Sequence, residues 1–349
     1  MSAARGVAAT VGPAPVPSDA GLQTFAEPAS PWHVAGRRLW LNEVGPRDGF
    51  QVEPVFVPTA DKIALIDALS ALGFAKIEAT AFVSPKAVPA LADAAEVMRG
   101  IRRAPGVVYA ALVPNARGAE AAIAAGADEL NLVMSASETH NLANLRMTRE
   151  QSFAQFGAVV ALARAAGRAV NVSLSCSFGC PMEGEVAAAE VLGWVERFTG
   201  ELGVTRVALC DTTGMAFPPQ VEALVGAVLT RWPGLELTLH FHDTRGLGLA
   251  NLLAAAGAGA TRFDMALGGL GGCPYAPGAT GNVCSEDVVH ALALMGYDTG
   301  IDLEGLIAAS RRLPALIGRE TPGQVAKAGR RLDLHAPPAG PEAVRARRP

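Results

Sequence analysis

One pattern recurs through most of this chain: a short apolar or β-branched run, a turn, then an Ala- and Leu-rich helical stretch. The runs are LWLNEV (39–44), AKIEAT (75–80), VVYAALV (107–113), DELNLVM (128–134), AVNVSLS (169–175), TRVALCD (205–211), LTLHFHD (237–243) and TRFDMAL (261–267). The helical stretches include TADKIALIDALSALG, ARGAEAAIAAG, SFAQFGAVVALARAAG, PPQVEALVGAVLTRW and ANLLAAAGAG. Gly73, Gly126, Gly167 and Gly257 fall where these helices should stop, and a left-handed C-cap favours glycine. Strands alternating with helices pair in parallel. Eight such units in about 250 residues predict an α/β fold, a (β/α)8 TIM barrel. An open doubly wound sheet is the competing architecture, but no G-x-G-x-x-G follows the first strand.

The same pattern sets the domain organisation. Residues 1–36 are rich in Ala, Pro and Ser and predict a disordered N-terminal extension. Residues 37–300 hold the barrel, and 301–332, including LEGLIAASRRLPALIG, predict C-terminal helices packed beside it. Residues 333–349 end in a Pro-rich, basic tail that reads as flexible.

Composition narrows the function. The 349 residues carry a formal charge of -4, with no basic stripe to suggest nucleic acid. No apolar run approaches the roughly 18 residues that cross a bilayer. Five scattered cysteines, an odd number in a long chain, fit reduced thiols and a cytoplasmic setting. Cys176 and Cys180 have no second Cys or His pair to complete a zinc site.

A barrel carries its chemistry where strands end and loops begin. Asp48 follows the first strand and Glu78 ends the second; Asn131 lies in the fourth, Ser173 and Ser175 in the fifth. Asp211 closes the sixth strand, as a turn residue or as an orienter of a neighbour. His240 and His242 close the seventh, with Asp243 next. After the eighth comes LGGLGGCPYAPGATGN, carrying Cys273 and Asn282.

Side chains two apart on a strand share a face, so His240 and His242 can bind one ion. Alone, an H-x-H is a weak signal, commonly a polar strand end. With Asp48 and Glu78 on the same rim, the donors form a mixed N/O set suited to Mg²⁺ or Mn²⁺; Zn²⁺ ranks below them because no thiolate joins the set. Cys273 could be a small buried hydrophobe, but its Gly- and Pro-rich loop suits a thiol that donates a proton or attacks. The other four cysteines read as mostly structural. Glu53, Glu129 and His140 read as solvated groups, and Lys86 as an anion binder or a plain surface lysine.

Together NEVGPRDGFQ, IEATAFVSPKAVPAL, LVPNARG, CSFGCPMEG, LHFHDTRGLGLAN and GGLGGCPYAPGATGN closely resemble the 3-hydroxy-3-methylglutaryl-CoA lyase family of metal-dependent TIM-barrel lyases, from about Leu39 to Gly318. Related condensing enzymes of the barrel share the R-D-G-x-Q start and the H-x-H strand. They typically have Glu where this chain has Phe50, and a glycine loop without the cysteine. The resemblance implies retro-Claisen cleavage of 3-hydroxy-3-methylglutaryl-CoA to acetyl-CoA and acetoacetate. It also implies an acyl-CoA thioester as the partner molecule and a homodimer or larger homo-oligomer. Its implied metal ligands are Asp48, His240, His242 and Asn282, and its implied catalytic residues are Arg47, Asp48, Glu78, His240 and Cys273. Arg47 would neutralise enolate charge, Cys273 would protonate the product, and the general base stays open among Asp48, His240 and a metal-bound water.

Two positions depart from the family pattern: Ser173 stands where a tyrosine is frequent, and Ala81 where a serine is. Both changes are expected to open the acyl pocket, so a longer 3-alkyl-3-hydroxyglutaryl-CoA or citramalyl-CoA is the alternative substrate. A Claisen-condensing synthase and a non-catalytic binding barrel are the remaining readings. The last leaves unexplained why Arg47, Asp48, both histidines, Cys273 and Asn282 occur together.

Overall fold

A computed structural model describes residues 34–272 and 281–334. Eight strands among them close one parallel barrel in chain order: β1 (Trp40–Glu43), β2 (Lys76–Ala81), β3 (Val108–Leu112), β4 (Glu129–Ser135), β5 (Ala169–Ser175), β6 (Arg206–Asp211), β7 (Glu236–Phe241) and β8 (Arg262–Met265). β8 returns to β1 with Trp40 opposite Arg262 and Glu43 opposite Met265. Each strand lies inside or within a residue of its predicted run, and the doubly wound alternative is excluded by closure. Expected disorder at the N-terminus and in the C-terminal tail concerns residues that are, almost entirely, outside the described ones.

The five helical stretches occur as Thr59–Ser70, Ala116–Ala124, Arg149–Ala165, Pro218–Arg231 and Gly248–Gly257. Gly73, Gly126 and Gly167 take positive φ as expected, but Gly257 is still helical and the left-handed residue is Gly259. That helix starts two residues earlier than expected, at Gly248, and the chain turns at Gly259, two residues beyond its end. A further helix not among the expected ones, Ala188–Gly200, buries Val191, Trp194, Val195 and Phe198 at helical spacing. Short helices at Ala94–Gly100 and Glu138–Leu145 were missed as well.

Glu53, Glu129 and His140 are buried, contrary to expectation. Glu53 pairs with Arg319, joining the first loop to the segment beyond helix Leu313–Ile317. His140 sits in the first turn of its helix, its N–H donated to the Ser137 hydroxyl at 3.1 Å. Glu129, on β4, accepts from Arg206 at 2.7 Å and pairs with Lys76. The two glutamates read as solvated because their partners lie far away in sequence, 266 residues for Glu53 and Arg319 and 77 for Glu129 and Arg206.

On the other side of the barrel, Glu43 at the end of β1 receives the N–H of Gly45 at 2.7 Å and of Leu267 at 2.9 Å. Its second oxygen meets the Ser285 hydroxyl at 2.6 Å. Glu286 holds Gly268 N–H at 3.0 Å and Ser310 Oγ at 2.5 Å. These two buried acids fasten the start of the glycine-rich segment to β1 and to the C-terminal helices.

Two outcomes follow from these buried carboxylates. Glu129→Gln leaves Lys76 without its charge partner, and chemical unfolding should register a loss of about 3–5 kcal/mol. Burial raises the Glu43 carboxyl to about 7, against the pull of Ser285, Leu267 and Gly45. The unfolded chain ionises it near the ordinary value of 4.5, so the native state holds the extra proton between those values. Stability from this group is therefore lost as pH rises from 4.5 to 7. Unfolding free energies at pH 5 and pH 8 should fall by about 3 kcal/mol more for the wild type than for Glu43→Gln.

Candidate active site

The first loop supplies two charged neighbours by a departure from strand geometry. After β1 the chain makes a single π-helical turn, Gly45–Gly49, with Pro46 in its first turn. Consecutive residues on a strand face opposite ways; on this turn Arg47 and Asp48 face the same centre. Arg47 Nη1 donates to Asp48 Oδ1 at 2.6 Å, and its Nε donates to Glu78 Oε2 at 2.6 Å. A surface turn is ruled out, since Arg47 is buried.

Glu78 lies mid-strand on β2, one layer deeper than the strand end expected for it. Its Oε1 accepts from Asn131 Nδ2 at 2.7 Å. Asn131 Oδ1 in turn accepts from the Ser173 hydroxyl and from Asn171 Nδ2, both at 2.9 Å. The guanidinium is thus fixed by a hydrogen-bonded chain running from β1 through β2 and β4 to β5.

Opposite it, His240 on β7 and His242 just beyond bring their Nε2 atoms to 3.1 Å, and His240 Nε2 lies 4.0 Å from Asp48 Oδ2. Asp48, His240 and His242 are the metal-competent cluster among the described residues, their ligand atoms within 4.8 Å of one another. Neighbouring corners of an octahedron with bonds of about 2.1 Å are about 3.0 Å apart, and opposite corners about 4.2 Å. The 3.1 Å and 4.0 Å separations lie within that frame. Charge fits too: Asp48, Glu78 and Asp264 are three carboxylates around one arginine, an excess that a divalent cation relieves. The chain therefore places an Asp/His/His cluster to coordinate a divalent metal ion.

Asn282 reaches the cluster by pairing with His242 across an antiparallel bridge. Its Nδ2 donates to Asp48 Oδ2 at 2.8 Å and to Leu270 O at 2.9 Å, while its buried Oδ1 has no hydrogen-bond partner among the described residues. Turned over, the same amide offers an oxygen to the cluster. Gly271 makes room for it: a Cβ there would lie 2.5 Å from Asn282 Nδ2, and its φ of +93° favours glycine anyway. Cys273 lies outside the described residues, bonded to Gly272, which lines the cavity.

Electrostatics separate the two histidines. Burial, followed by the nearness of His240, drives His242 down to about 3, so it is neutral. Burial also opposes charge on His240, but Asp264 and Asp48 outweigh it and its basicity rises. Asp48, despite burial, is held at about 2 by Arg47, the histidines and Asn282. Arg47, though buried, is kept charged by Glu78 and Asp48.

All of this opens into a cavity of about 510 Å³ at the C-terminal ends of the strands. Ser173 and Ser175 line it, as expected; Cys210 lines it too, although it was read as structural. Ala81 does not: it is fully buried, in register with the cavity-lining Leu112. Asp211 is the turn residue of its two readings, its Oδ1 accepting from Met215 and Ala216 N–H. Lys86 is exposed. Sequence reasoning missed Asp264, Asn42 and Asn171. A signal existed, because Asn and Asp are depleted in strands, yet each sits inside an apolar run.

The comparisons agree with this geometry. The HMGL-like family model matches residues 38–313. A hydroxymethylglutaryl-CoA lyase of Bacillus subtilis is 45% identical over 288 residues, covering 82% of this chain and 96% of that protein. A Pseudomonas aeruginosa protein described as 3-hydroxy-3-isohexenylglutaryl-CoA/hydroxy-methylglutaryl-CoA lyase is 43% identical, covering 84% of this chain and 97% of its own. The structure of an HMG-CoA lyase from Acinetobacter baumannii, in complex with coenzyme A and 3-methylmalate, superposes with a TM-score of 0.83 at 53% identity, covering 86% of this chain and 98% of that one. With that sequence likeness, a closed barrel and an Asp/His/His cluster at its mouth, the chain belongs to the HMGL-like family of carbon–carbon lyases, which cleave 3-hydroxyacyl-CoA thioesters by metal-assisted retro-Claisen chemistry.

Proposed function

We propose that the protein cleaves 3-hydroxy-3-methylglutaryl-CoA to acetyl-CoA and acetoacetate, using Mg²⁺ or Mn²⁺. The observation that carries this is the Arg47 guanidinium, fixed between Asp48 and Glu78 beside the paired histidines. Asp48, His240, His242 and Asn282 would hold the ion, which when bound would lower the pKa of the substrate's tertiary hydroxyl and fix its orientation. As the carbon–carbon bond breaks, negative charge moves to the thioester oxygen. Arg47 is already oriented there, and a donor fixed in advance needs no reorganisation during the step. The hydroxyl proton goes to the Asp48 oxygen that the ion would leave uncoordinated, which here accepts from Arg47 Nη1; His240, with Nδ1 turned to Asp264 and Nε2 to the ion, has no nitrogen left to take it. Cys273, bonded to the cavity-lining Gly272, returns a proton to the enolate carbon of acetyl-CoA.

A second substrate is favoured by Ser173. Its hydroxyl is turned to Asn131, and the cavity continues past it to Val83, Val88, Leu112, Leu145 and Phe156. That apolar end suits a longer 3-alkyl substituent, the kind named for the Pseudomonas relative. Citramalyl-CoA, lacking the chain, would leave it unfilled. The enzyme works as a homodimer in the cytoplasm on this reading, in keeping with the commonest symmetry of soluble oligomers and with cysteines kept as thiols.

Turnover of a panel of these three thioesters tests both substrates. Cleavage should vanish with a chelator and return with Mn²⁺, and inactivity on every member would remove the proposal. Activity confined to 3-hydroxy-3-methylglutaryl-CoA would remove the longer substrate alone. Arg47→Lys keeps the charge but loses the fork that spans two carboxylates. It should lower kcat by about a hundredfold or more, while wild-type Mn²⁺ affinity is retained in calorimetric titration.

A further inference from the structure

Asp264 is a half-buried carboxylate of the site that hydrogen-bonds to a histidine, not to the arginine. Its Oδ2 lies 3.3 Å from His240 Nδ1, and its Oδ1 accepts from Asn42 Nδ2 at 2.8 Å. The arrangement is built into the barrel closure. His240 is in register with Asp264 across β7 and β8, and Asp264 with Asn42 across β8 and β1. Residues in register on parallel strands share a face, so three backbones place these side chains in one row. No loop is involved.

The row sets a direction for hydrogen bonding. Asn42 can only donate through Nδ2, so it claims one carboxylate oxygen and leaves the other for the imidazole. A carboxylate accepts; Nδ1 must then carry the hydrogen, and Nε2 keeps its lone pair. Nε2 is the atom that faces His242 Nε2 and Asp48 Oδ2. His242 has no such brace, its buried Nδ1 lacking a hydrogen-bond partner among the described residues.

We propose that Asp264 is a positioning residue that holds His240 in the Nδ1–H tautomer, with Nε2 presented as the metal donor. The metal half of this rests on the divalent-ion reading under the proposed function; the tautomer half does not. Replacement by asparagine inverts the pattern. If Asn42 keeps its bond to the new carbonyl oxygen, the new amide nitrogen faces Nδ1 as a donor, and His240 must carry its hydrogen on Nε2, where the ion should bind. Replacement by alanine removes the preference without inverting it.

The chain has six histidines, few enough for ¹⁵N-histidine labelling and long-range ¹H–¹⁵N correlation on the metal-free protein at alkaline pH. The wild type should show His240 as the Nδ1–H form, and Asp264→Asn as the Nε2–H form. Calorimetric titration with Mn²⁺ should show affinity lowered about 10–100-fold in Asp264→Asn, with Asp264→Ala between it and the wild type. A wild-type His240 in the Nε2–H form overturns the proposal without any variant needing to fold. Equal Mn²⁺ affinity in wild type and a folded Asp264→Asn overturns it too, leaving Asp264 a structural residue. Failure of the wild type to bind Mn²⁺ or Mg²⁺ would instead defeat the metal reading, and the tautomer would still be decided by the spectrum.

Discussion

The site depends on one guanidinium held between two carboxylates in a region with little water. Arg47 is charged because Glu78 and Asp48 are beside it; its charge in turn keeps Asp48 low and works against the burial that raises Glu78. Neither half survives alone: an unpaired buried ion costs several kcal/mol, which is why such groups are found paired or not at all. Glu78 uses its other oxygen to receive Asn131, and Asn131 engages Ser173 and Asn171. The orientation of one side chain at β1 is therefore set by four strands. Reactivity and rigidity have the same origin here.

Metal binding uses a different device. The two histidines gain their geometry from strand β7 and its first residue beyond, and Asn282 gains its position from a bridge to that same residue. The Gly271 approach lets the amide sit close to Asp48. Glycine there answers both to space and to a φ of +93°, whereas Gly45 and Gly49 are needed for space alone: a Cβ would lie 2.6 Å from Glu43 Oε1 and 2.8 Å from Leu270 Cβ, respectively. Similar letters in the sequence thus answer to different physical demands.

Much of the fold was legible because a parallel barrel writes a repeated local signal: strand, turn, helix. The ligands Asp48, His240 and His242 were legible for a related reason, since spacing and strand ends place them with little reference to the rest of the chain. What escaped was set by distant partners. Glu129 reads as a solvated charge until Lys76 and Arg206 are brought to it from other strands. Asp264 reads as one more residue in an apolar run until closure sets it beside His240 and Asn42. Ala81 occupies a motif position near the pocket, yet it is fully buried and its neighbour in register, Leu112, forms the wall instead. Helix Ala188–Gly200 was missed for a plainer reason: its apolar spacing was present and unread.

The Lys76–Glu129–Arg206 cluster has a bearing on traffic. It fills the end of the barrel away from the catalytic loops, and a void of only about 20 Å³ separates it from Glu78 and Asp264, room for a single water. The barrel is thus a cup with one mouth. Whatever reaches the metal cluster enters past the loops with its acyl end leading. A coenzyme A carrier would then stand in the doorway, between the deeper fragment and bulk water, for as long as it stays.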